Sequence, residues 1–109
     1  MPDPESLLPL RPTVFAILAV LHAGKLHGYG IMKRLNESGG MLGPGTLYRT
    51  LKEMRDLGLV AHTEAPEGEE AGDERRSYYA LTSFGRDVAQ AEAERLAGLM
   101  KEARLGGVR

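Results

Sequence analysis

Large apolar residues recur at helical spacing between positions 44 and 57, the segment around which the rest of the chain is organised. Their intervals are four, three and three residues: Leu47, Leu51, Met54 and Leu57. A helix places residues at these intervals on one face, which must pack on a core. Pro44 suits the first turn of such a helix, because an N–H group there would have no intrahelical partner and proline lacks one. Gly58 suits the position after the helix, where a left-handed backbone conformation is common. The pattern predicts an amphipathic helix.

Basic residues occupy another side of this predicted helix, at intervals of three residues. They are Arg49, Lys52 and Arg55. A helix with one apolar and one basic face can pack its back on a domain and lay its front against the phosphates and base edges of a DNA major groove. The alternative is a solvated face of weak ion pairs, because Arg49 with Glu53 and Lys52 with Asp56 are i, i+4 pairs. This segment alone leaves both interpretations open.

Two apolar segments precede this helix, and each predicts a short helix that ends at glycine. The first begins at Pro12 and is apolar nearly all round, which predicts burial on more than one side and, in so small a protein, cover by a second chain. The second follows His27 and ends at Gly39, with three residues facing inward: Ile31, Met32 and Leu35. The second helix and the helix from Pro44 are arranged as a helix-turn-helix motif requires.

The helical spacing of apolar residues ends at Gly58, and the pattern that follows is typical of strands. Residues 59–65 and 75–81 predict two strands, the second rich in tyrosine. Their connection, residues 66–74, is acidic and predicts a mobile hairpin loop. Three helices followed by a hairpin predict a mainly α fold with a small β-hairpin, a winged helix-turn-helix.

A last helix is predicted from Ser83 to about Arg104, with Thr82 as its N-cap. Small and apolar residues form a heptad-like seam along it, widened by Val88 and Leu99: Ala89, Ala93, Leu96, Met100 and Ala103. A single terminal helix of this kind favours pairing with a second copy of the chain. The alternative is that it folds back on its own domain.

These patterns divide the chain into three parts. An irregular N-terminal arm (1–11) is followed by a winged helix-turn-helix DNA-binding domain (12–82) and a C-terminal dimerisation helix (83–109). A chain of 109 residues with 42% hydrophobic and 27% charged residues has the composition of one folded domain. Apolar runs are far shorter than the roughly 20 residues of a membrane span, and no signal peptide is recognisable. We expect a complete, cytoplasmic protein that does not enter a membrane.

The reactive residue types in the sequence do not form a pattern that is typical of an enzyme. The chain has no cysteine, so a disulfide framework and a thiolate site are excluded. The three histidines are scattered without carboxylates at metal-ligand spacing, and no serine or threonine stands in a recognisable nucleophile motif. We therefore expect no enzyme activity, no metal and no cofactor.

Charge is unevenly distributed along the chain, although the net charge is only −1. Residues 25–62 carry six basic and three acidic residues, whereas residues 63–81 carry two basic and six acidic ones. A near-neutral protein does not bind nucleic acid through bulk charge. A positive surface, if used, is local to the central helices.

Four motifs together resemble the PadR family of transcriptional regulators, in its short form with one C-terminal helix. They are His27-Gly28-Tyr29, Pro44-Gly45-Thr46-Leu47-Tyr48, Leu57-Gly58-Leu59-Val60 and Ser77-Tyr78-Tyr79-Ala80-Leu81-Thr82-Ser83-Phe84-Gly85-Arg86. The resemblance covers roughly residues 13–86. It implies a winged helix-turn-helix homodimer that binds a pseudo-palindromic operator, usually as a bacterial repressor. Family members place the helix corresponding to that from Pro44 in the major groove and the hairpin tip near the minor groove.

Candidate DNA-binding residues follow from both arguments: Tyr29, Lys33, Gly45, Thr46, Tyr48, Arg49, Lys52, Arg75 and Arg76. Arg49 and Lys52 are expected to reach base edges or phosphates, and Gly45 to let the backbone approach a phosphate. Tyr29 and Tyr48 have packing as an alternative role. The arginines at 75–76 are the expected wing contact, although five acidic residues precede them and phosphates would repel these.

Candidate dimerisation residues lie on the first and last helices, which also mediate dimerisation in the family: Phe15, Ala89, Ala93, Leu96, Leu99, Met100 and Ala103. Some relatives bind flat or phenolic effectors near the dimer interface, so release from DNA by a small-molecule effector is expected. Phe15 with Leu96, Leu99 and Met100 could line its pocket or form ordinary interface core. The last helix has no aromatic residue beyond Phe84, which disfavours an aromatic-stacking site.

Two other functions compete with DNA binding. A winged-helix module that binds protein is favoured by the acidic loop and the near-neutral net charge. A ligand-sensing or structural dimer with vestigial DNA contact is the other. Steep salt dependence of binding would distinguish a DNA-binding protein from both.

Overall fold

The computed structural model describes residues 3–63 and 78–105 of the chain. A short 3-10 helix, Pro4–Leu7, precedes four α-helices and three strands in the order α1-β1-α2-α3-β2-β3-α4. Their bounds are α1 Pro12–Leu21, β1 Leu26–His27, α2 Gly28–Glu37, α3 Pro44–Asp56, β2 Val60–Thr63, β3 Tyr78–Leu81 and α4 Ser83–Leu105. None of these helices is long and apolar enough to cross a membrane.

Local sequence signals define where the helices begin and end. Both α1 and α3 have proline in their first turn. The N-terminus of α4 is capped by Thr82, whose hydroxyl accepts a hydrogen bond from the Gly85 N–H at 2.9 Å. Gly58 follows α3 with φ +80°, a left-handed conformation that disfavours side chains. The predicted start and cap of the last helix are confirmed.

The sheet has three antiparallel strands in the order β1-β3-β2, so the hairpin prediction missed one strand. In β3, Tyr79 pairs with Leu26 of β1 on one side and with His62 of β2 on the other. A two-residue strand is too short to show an alternating pattern, so no pattern of apolar and polar residues indicated β1. The acidic connection and the outer parts of both predicted strands lie outside the described residues.

The core lies between α1, α2, α3, the sheet and the start of α4. Its large buried residues include Val14, Ile17, Leu18, Leu21, Ile31, Leu47, Leu51, Met54, Leu59, Val60, Tyr79, Leu81 and Val88. The apolar face predicted for α3 is buried at three of its four positions. Leu57 was placed on that face wrongly: α3 ends at Asp56, and Leu57 lies at the C-cap with about half of its surface exposed.

The N-terminal arm packs on α4 and is not wholly irregular. Its 3-10 helix is capped by Asp3, whose carboxylate accepts a hydrogen bond from the Glu5 N–H. The Leu10 N–H then donates to Oε2 of Glu92 at 3.0 Å. Arg11, the next residue, forms an ion pair of 2.9 Å with Glu53 of α3. The arm therefore connects the last helix to the helix from Pro44.

Candidate nucleic-acid interface

The outer face of α3 carries the candidate basic residues, because its opposite face is buried in the core. Lys52 is exposed and lies 3.2 Å from Asp56, so this ion pair forms as the sequence alternative supposed. The other proposed pair does not form, since Glu53 is engaged by Arg11. Within residues 3–63 and 78–105, the exposed Arg49 side chain has no hydrogen bond or ion pair. An exposed guanidinium without a protein partner is available to an external anion.

The first turn of α3 is open to solvent. Its N-cap is Gly43, which supplies no side-chain hydrogen bond, and the Leu47 N–H is bonded to the Gly43 carbonyl at 3.0 Å. The N–H groups of Gly45 and Thr46 precede that bond and belong to the orphan donors of a helix start. A Cβ atom on Gly45 would meet no protein atom within 4 Å, so the fold itself does not require glycine there.

Tyr48 has the packing role that the sequence analysis gave as one of its two alternatives. Its ring lies against the Gly28 backbone so closely that a Cβ atom at Gly28 would collide with the ring and the hydroxyl. Tyr48 is nevertheless 48% exposed, and the next residue, Arg49, is exposed as well. Tyr48 therefore packs α3 against the start of α2 and leaves about half of its surface exposed.

The start of α2 contributes further exposed candidates. Tyr29 is 60% exposed, and its ring is stacked on His27 with centroids 6.2 Å apart. His27 caps α2, because its Nδ1 accepts a hydrogen bond from the Gly30 N–H at 2.9 Å. Lys33, one turn after Tyr29, is exposed.

The base of the wing adds a contact that the sequence analysis did not assign. Nη1 of Arg55 lies 3.0 Å from both ring nitrogens of His62, whose ring is 4.7 Å from that of Tyr79. Burial is the main cause that raises the pKa of Tyr79; nearby Tyr48 adds to it and Arg55 opposes it. The basic spacing of Arg55 was visible in sequence, but its strand partner was not. The candidate wing arginines at 75–76 lie outside the described residues.

The candidate dimerisation residues are spread along two helices rather than gathered in one pocket. Phe15, Ala89 and Ala93 line a groove of about 250 Å³ between α1 and α4. Leu96 and Leu99 do not line this groove, and Met100 lines a separate depression near Arg104. Leu96 and Ala103 are partly buried, whereas Leu99 and Met100 are 54% and 57% exposed. Val88, assigned to the seam from its spacing, is fully buried in the core of its own domain.

A helix-turn-helix whose second helix has an exposed basic face, followed by a small antiparallel sheet, is the architecture of winged helix-turn-helix transcription regulators that bind DNA. The model of the transcriptional regulator PadR-like family matches residues 17–91. The chain belongs to this family, as the four sequence motifs predicted. PadR-family transcription regulators are generally not enzymes.

Solved structures of transcription regulators are similar to this fold over most of the chain. A PadR family transcription regulator from Clostridium difficile is 27% identical, with a TM-score of 0.73 and coverage of 84% of this chain and 94% of that one. RosR from H. salinarum is 28% identical, with a TM-score of 0.66 and coverage of 88% and 79%. The predicted mainly α fold with a winged helix-turn-helix is confirmed.

A curated relative is considerably longer than this chain. It is a 37.1 kDa protein of unknown function in transposon TN4556 of Streptomyces fradiae, 37% identical over 84 residues. The match spans 76% of this chain and 22% of that relative.

Proposed function

We propose that this protein is a sequence-specific regulator that binds a pseudo-palindromic DNA operator as a homodimer and represses transcription in the cytoplasm. The observation that carries the proposal is the state of α3: its inner face is buried, and its outer face presents Arg49 without a partner in the described residues. An exposed guanidinium without a protein partner on this outer face is available to the phosphates and base edges of DNA.

In this proposal α3 lies in the major groove. Arg49 and Lys52 contact base edges or phosphates, and the N–H groups of Gly45 and Thr46 bind a phosphate, which the positive end of the helix dipole favours. The half-exposed Tyr48 donates its hydroxyl to a phosphate while its ring remains on Gly28. These phosphate contacts orient the helix, and the arginine reads sequence.

Further contacts lie on either side of α3. Tyr29 and Lys33 are proposed to contact the backbone from α2, which is supported by their exposure. The arginines at 75–76 are proposed to contact DNA from the wing, on the resemblance alone. In this division of the chain, residues 1–11 form the arm, 12–82 bind DNA and 83–109 dimerise.

The proposed homodimer rests on the apolar surface that one chain leaves exposed. Leu99 and Met100 are more than half exposed on α4, and the groove beside Phe15, Ala89 and Ala93 continues this surface towards α1. A symmetric pair built on these helices would offer two copies of α3 to one face of DNA. To read successive half-sites, these copies must lie about 34 Å apart.

A small-molecule effector is proposed to release the dimer from DNA. The groove of about 250 Å³ between α1 and α4 supports this proposal, because it lies beside the proposed interface. A molecule wedged there would change the angle between the paired helices and so the separation of the two recognition helices. The groove has room for a small ligand only, since typical drug-sized pockets start at about 300 Å³.

Selection of bound sequences from a random duplex library tests the proposal. We expect an inverted repeat, and the logarithm of its binding constant should fall with the logarithm of salt concentration by about 0.9 per phosphate neutralised. If no sequence is enriched at low salt, the DNA proposal fails and a protein partner of the acidic connection becomes the better hypothesis.

Substitution of Arg49 tests the residue on which the proposal depends. Arg49→Ala should weaken binding of the selected duplex about tenfold and relax the preference at one base pair, because a bidentate arginine contact is lost. Lys101→Ala is the matched control, since it removes an equal charge from an exposed position on α4. Unchanged affinity and preference in the Arg49 variant would remove this residue from the interface.

A further inference from the structure

The turn between α2 and α3 is held by one side chain that reaches across it. Asn36, in the last turn of α2, forms two hydrogen bonds with a single residue, Leu42. Its Nδ2 donates to the Leu42 carbonyl at 3.0 Å, and its Oδ1 accepts from the Leu42 N–H at 2.8 Å. The side-chain amide thus satisfies both backbone groups of the residue that directly precedes the N-cap of α3.

Every other hydrogen bond of this turn in the described residues ends on α2 itself. The N–H groups of Gly39 and Gly40 donate to the carbonyls of Asn36 and Leu35, and the Ser38 hydroxyl donates to the Arg34 carbonyl. Gly39 has φ +98°, so the chain reverses direction there in a conformation that glycine favours. Beyond Gly40, the Asn36 pair is the polar link between α2 and the residues before α3 within residues 3–63 and 78–105.

Apolar packing alone does not determine the position of this turn. Leu42 is partly buried against the core, but its neighbour Met41 is almost fully exposed. Hydrophobic contact is non-directional, whereas two hydrogen bonds to one peptide segment define both its distance and its orientation. The Asn36 pair is therefore suited to determine where α3 begins relative to α2.

We infer that Asn36 is a positioning residue for operator recognition. It acts through Leu42 to hold the N-terminus of α3, the proposed recognition helix, in the position and orientation relative to α2 that contact with base edges requires. This inference rests on the proposed function. In a helix-turn-helix motif, the N-terminal residues of the second helix contact base edges. Movement of the turn before this helix would therefore displace the residues that contact the bases. Asparagine suits this role because it both donates and accepts, which aspartate and alanine do not.

The test compares Asn36→Ala and Asn36→Asp with Ser38→Ala as matched control. The control removes a hydrogen bond that stays within α2, at a neighbouring position and without a change of charge. The probes are the duplex that the wild-type protein selects from a random library and a scrambled duplex of equal length. The ratio of the two affinities is measured at one salt concentration, so that a change in overall charge cancels. Melting curves first establish a temperature at which each variant is fully folded.

We expect Asn36→Ala to lower this ratio about tenfold, because two net hydrogen bonds are lost, and Asn36→Asp to lower it as well, because a carboxylate oxygen would face the Leu42 carbonyl without a hydrogen to donate. Hydrogen exchange of the Leu42 amide without DNA should quicken in Asn36→Ala, remain slow in Asn36→Asp, which keeps the acceptor, and not change in Ser38→Ala. The exchange readout does not depend on DNA binding.

The outcomes separate the inference from the function on which it rests. A ratio within twofold of wild type in Asn36→Ala, with a faster Leu42 amide, would show that the turn loosens without effect on reading and would overturn the inference. An equal loss in Ser38→Ala would also overturn it. Failure of the wild-type protein to select any duplex would instead reject the proposed function, and the positioning role with it.

Discussion

The two halves of α4, residues 83–92 and 93–104, lie in different surroundings although they form one continuous helix. The first half is inserted in its own domain: Gly85, Val88 and Glu92 are buried at intervals of three and four residues. The second half extends past that domain and leaves Leu99 and Met100 more than half exposed.

This difference shows that, along this helix, whether a residue is polar or apolar does not determine whether it is buried or exposed. A carboxylate is buried and satisfied in the first half, where Glu92 binds the Leu10 N–H and Arg95. Large apolar side chains are exposed in the second half. The first half therefore contributes to the stability of a single chain. The second half has exposed apolar surface that is available for association between chains.

The largest effect should come from a charge placed on the exposed half. Met100→Glu should weaken dimer formation about a hundredfold, because a carboxylate would have to be buried without a partner. Sedimentation at micromolar concentration would then find the monomer, still folded by circular dichroism. Gly98→Glu is the control, since residue 98 lies about 200° around the helix from residue 100. A dimeric Met100 variant would contradict the assignment of the second half to an interface.

A smaller effect, opposite in sign between the two halves, is expected on the free energy of unfolding when one methyl group is added to each half. Gly85→Ala should destabilise the fold by about 2 kcal/mol, because its Cβ would collide with the Leu59 backbone carbonyl, which accepts a hydrogen bond from the Thr82 N–H. Gly98→Ala should stabilise it by about 0.5–1 kcal/mol, since nothing lies within 4 Å and alanine favours a helix. Urea denaturation of both variants measures the contrast. Equal shifts would remove the distinction between the halves.

The smallest effect concerns acid stability. The Arg95 hydrogen bonds hold the pKa of Glu92 below its ordinary value, with a further contribution from the Leu10 N–H, while desolvation opposes them. A carboxylate with a depressed folded pKa stabilises the fold at higher pH, and this stabilisation is lost as pH falls below about 4.5 and through the folded pKa. Glu92→Gln should lower stability at pH 7 by about 1 kcal/mol.

Melting temperatures of both proteins between pH 7 and pH 3 test this expectation. The difference between wild type and Glu92→Gln should shrink as pH falls, because the wild-type carboxylate becomes neutral like the amide. A constant difference would show that Glu92 stabilises the protein by shape rather than by charge.

The sequence predicted features whose causes are local. The helix from Pro44 has its apolar interval, its proline and its terminal glycine within one short segment, and Thr82 lies directly before the helix it caps. Such signals need no knowledge of the rest of the chain. For the same reason the exposed basic face of α3 was found, since Arg49 and Lys52 follow from spacing along one helix.

Features that depend on distant residues were missed. Leu10 and Glu92 are 82 positions apart, and no periodicity connects them. Glu53 was considered as the partner of Arg49, four residues away, but it pairs with Arg11, 42 residues away. Val88 fits the spacing of the predicted seam, yet the fold turns that side of α4 into its own core. Local spacing limits the possible partners of a residue, and tertiary packing selects among them.

The N-terminal arm bears on how the protein is shortened for experiments. The family model begins at residue 17, and a protein trimmed to start at Pro12 would still contain all four α-helices. It would lack the Leu10 N–H and the Arg11 guanidinium, and so would leave Glu92 without its backbone donor and Glu53 without its ion-pair partner. Released from Arg11, Glu53 lies four residues from Arg49 and is free to pair with its guanidinium. If Arg49 contacts DNA as proposed, such a truncated protein would bind the operator more weakly than the full chain does.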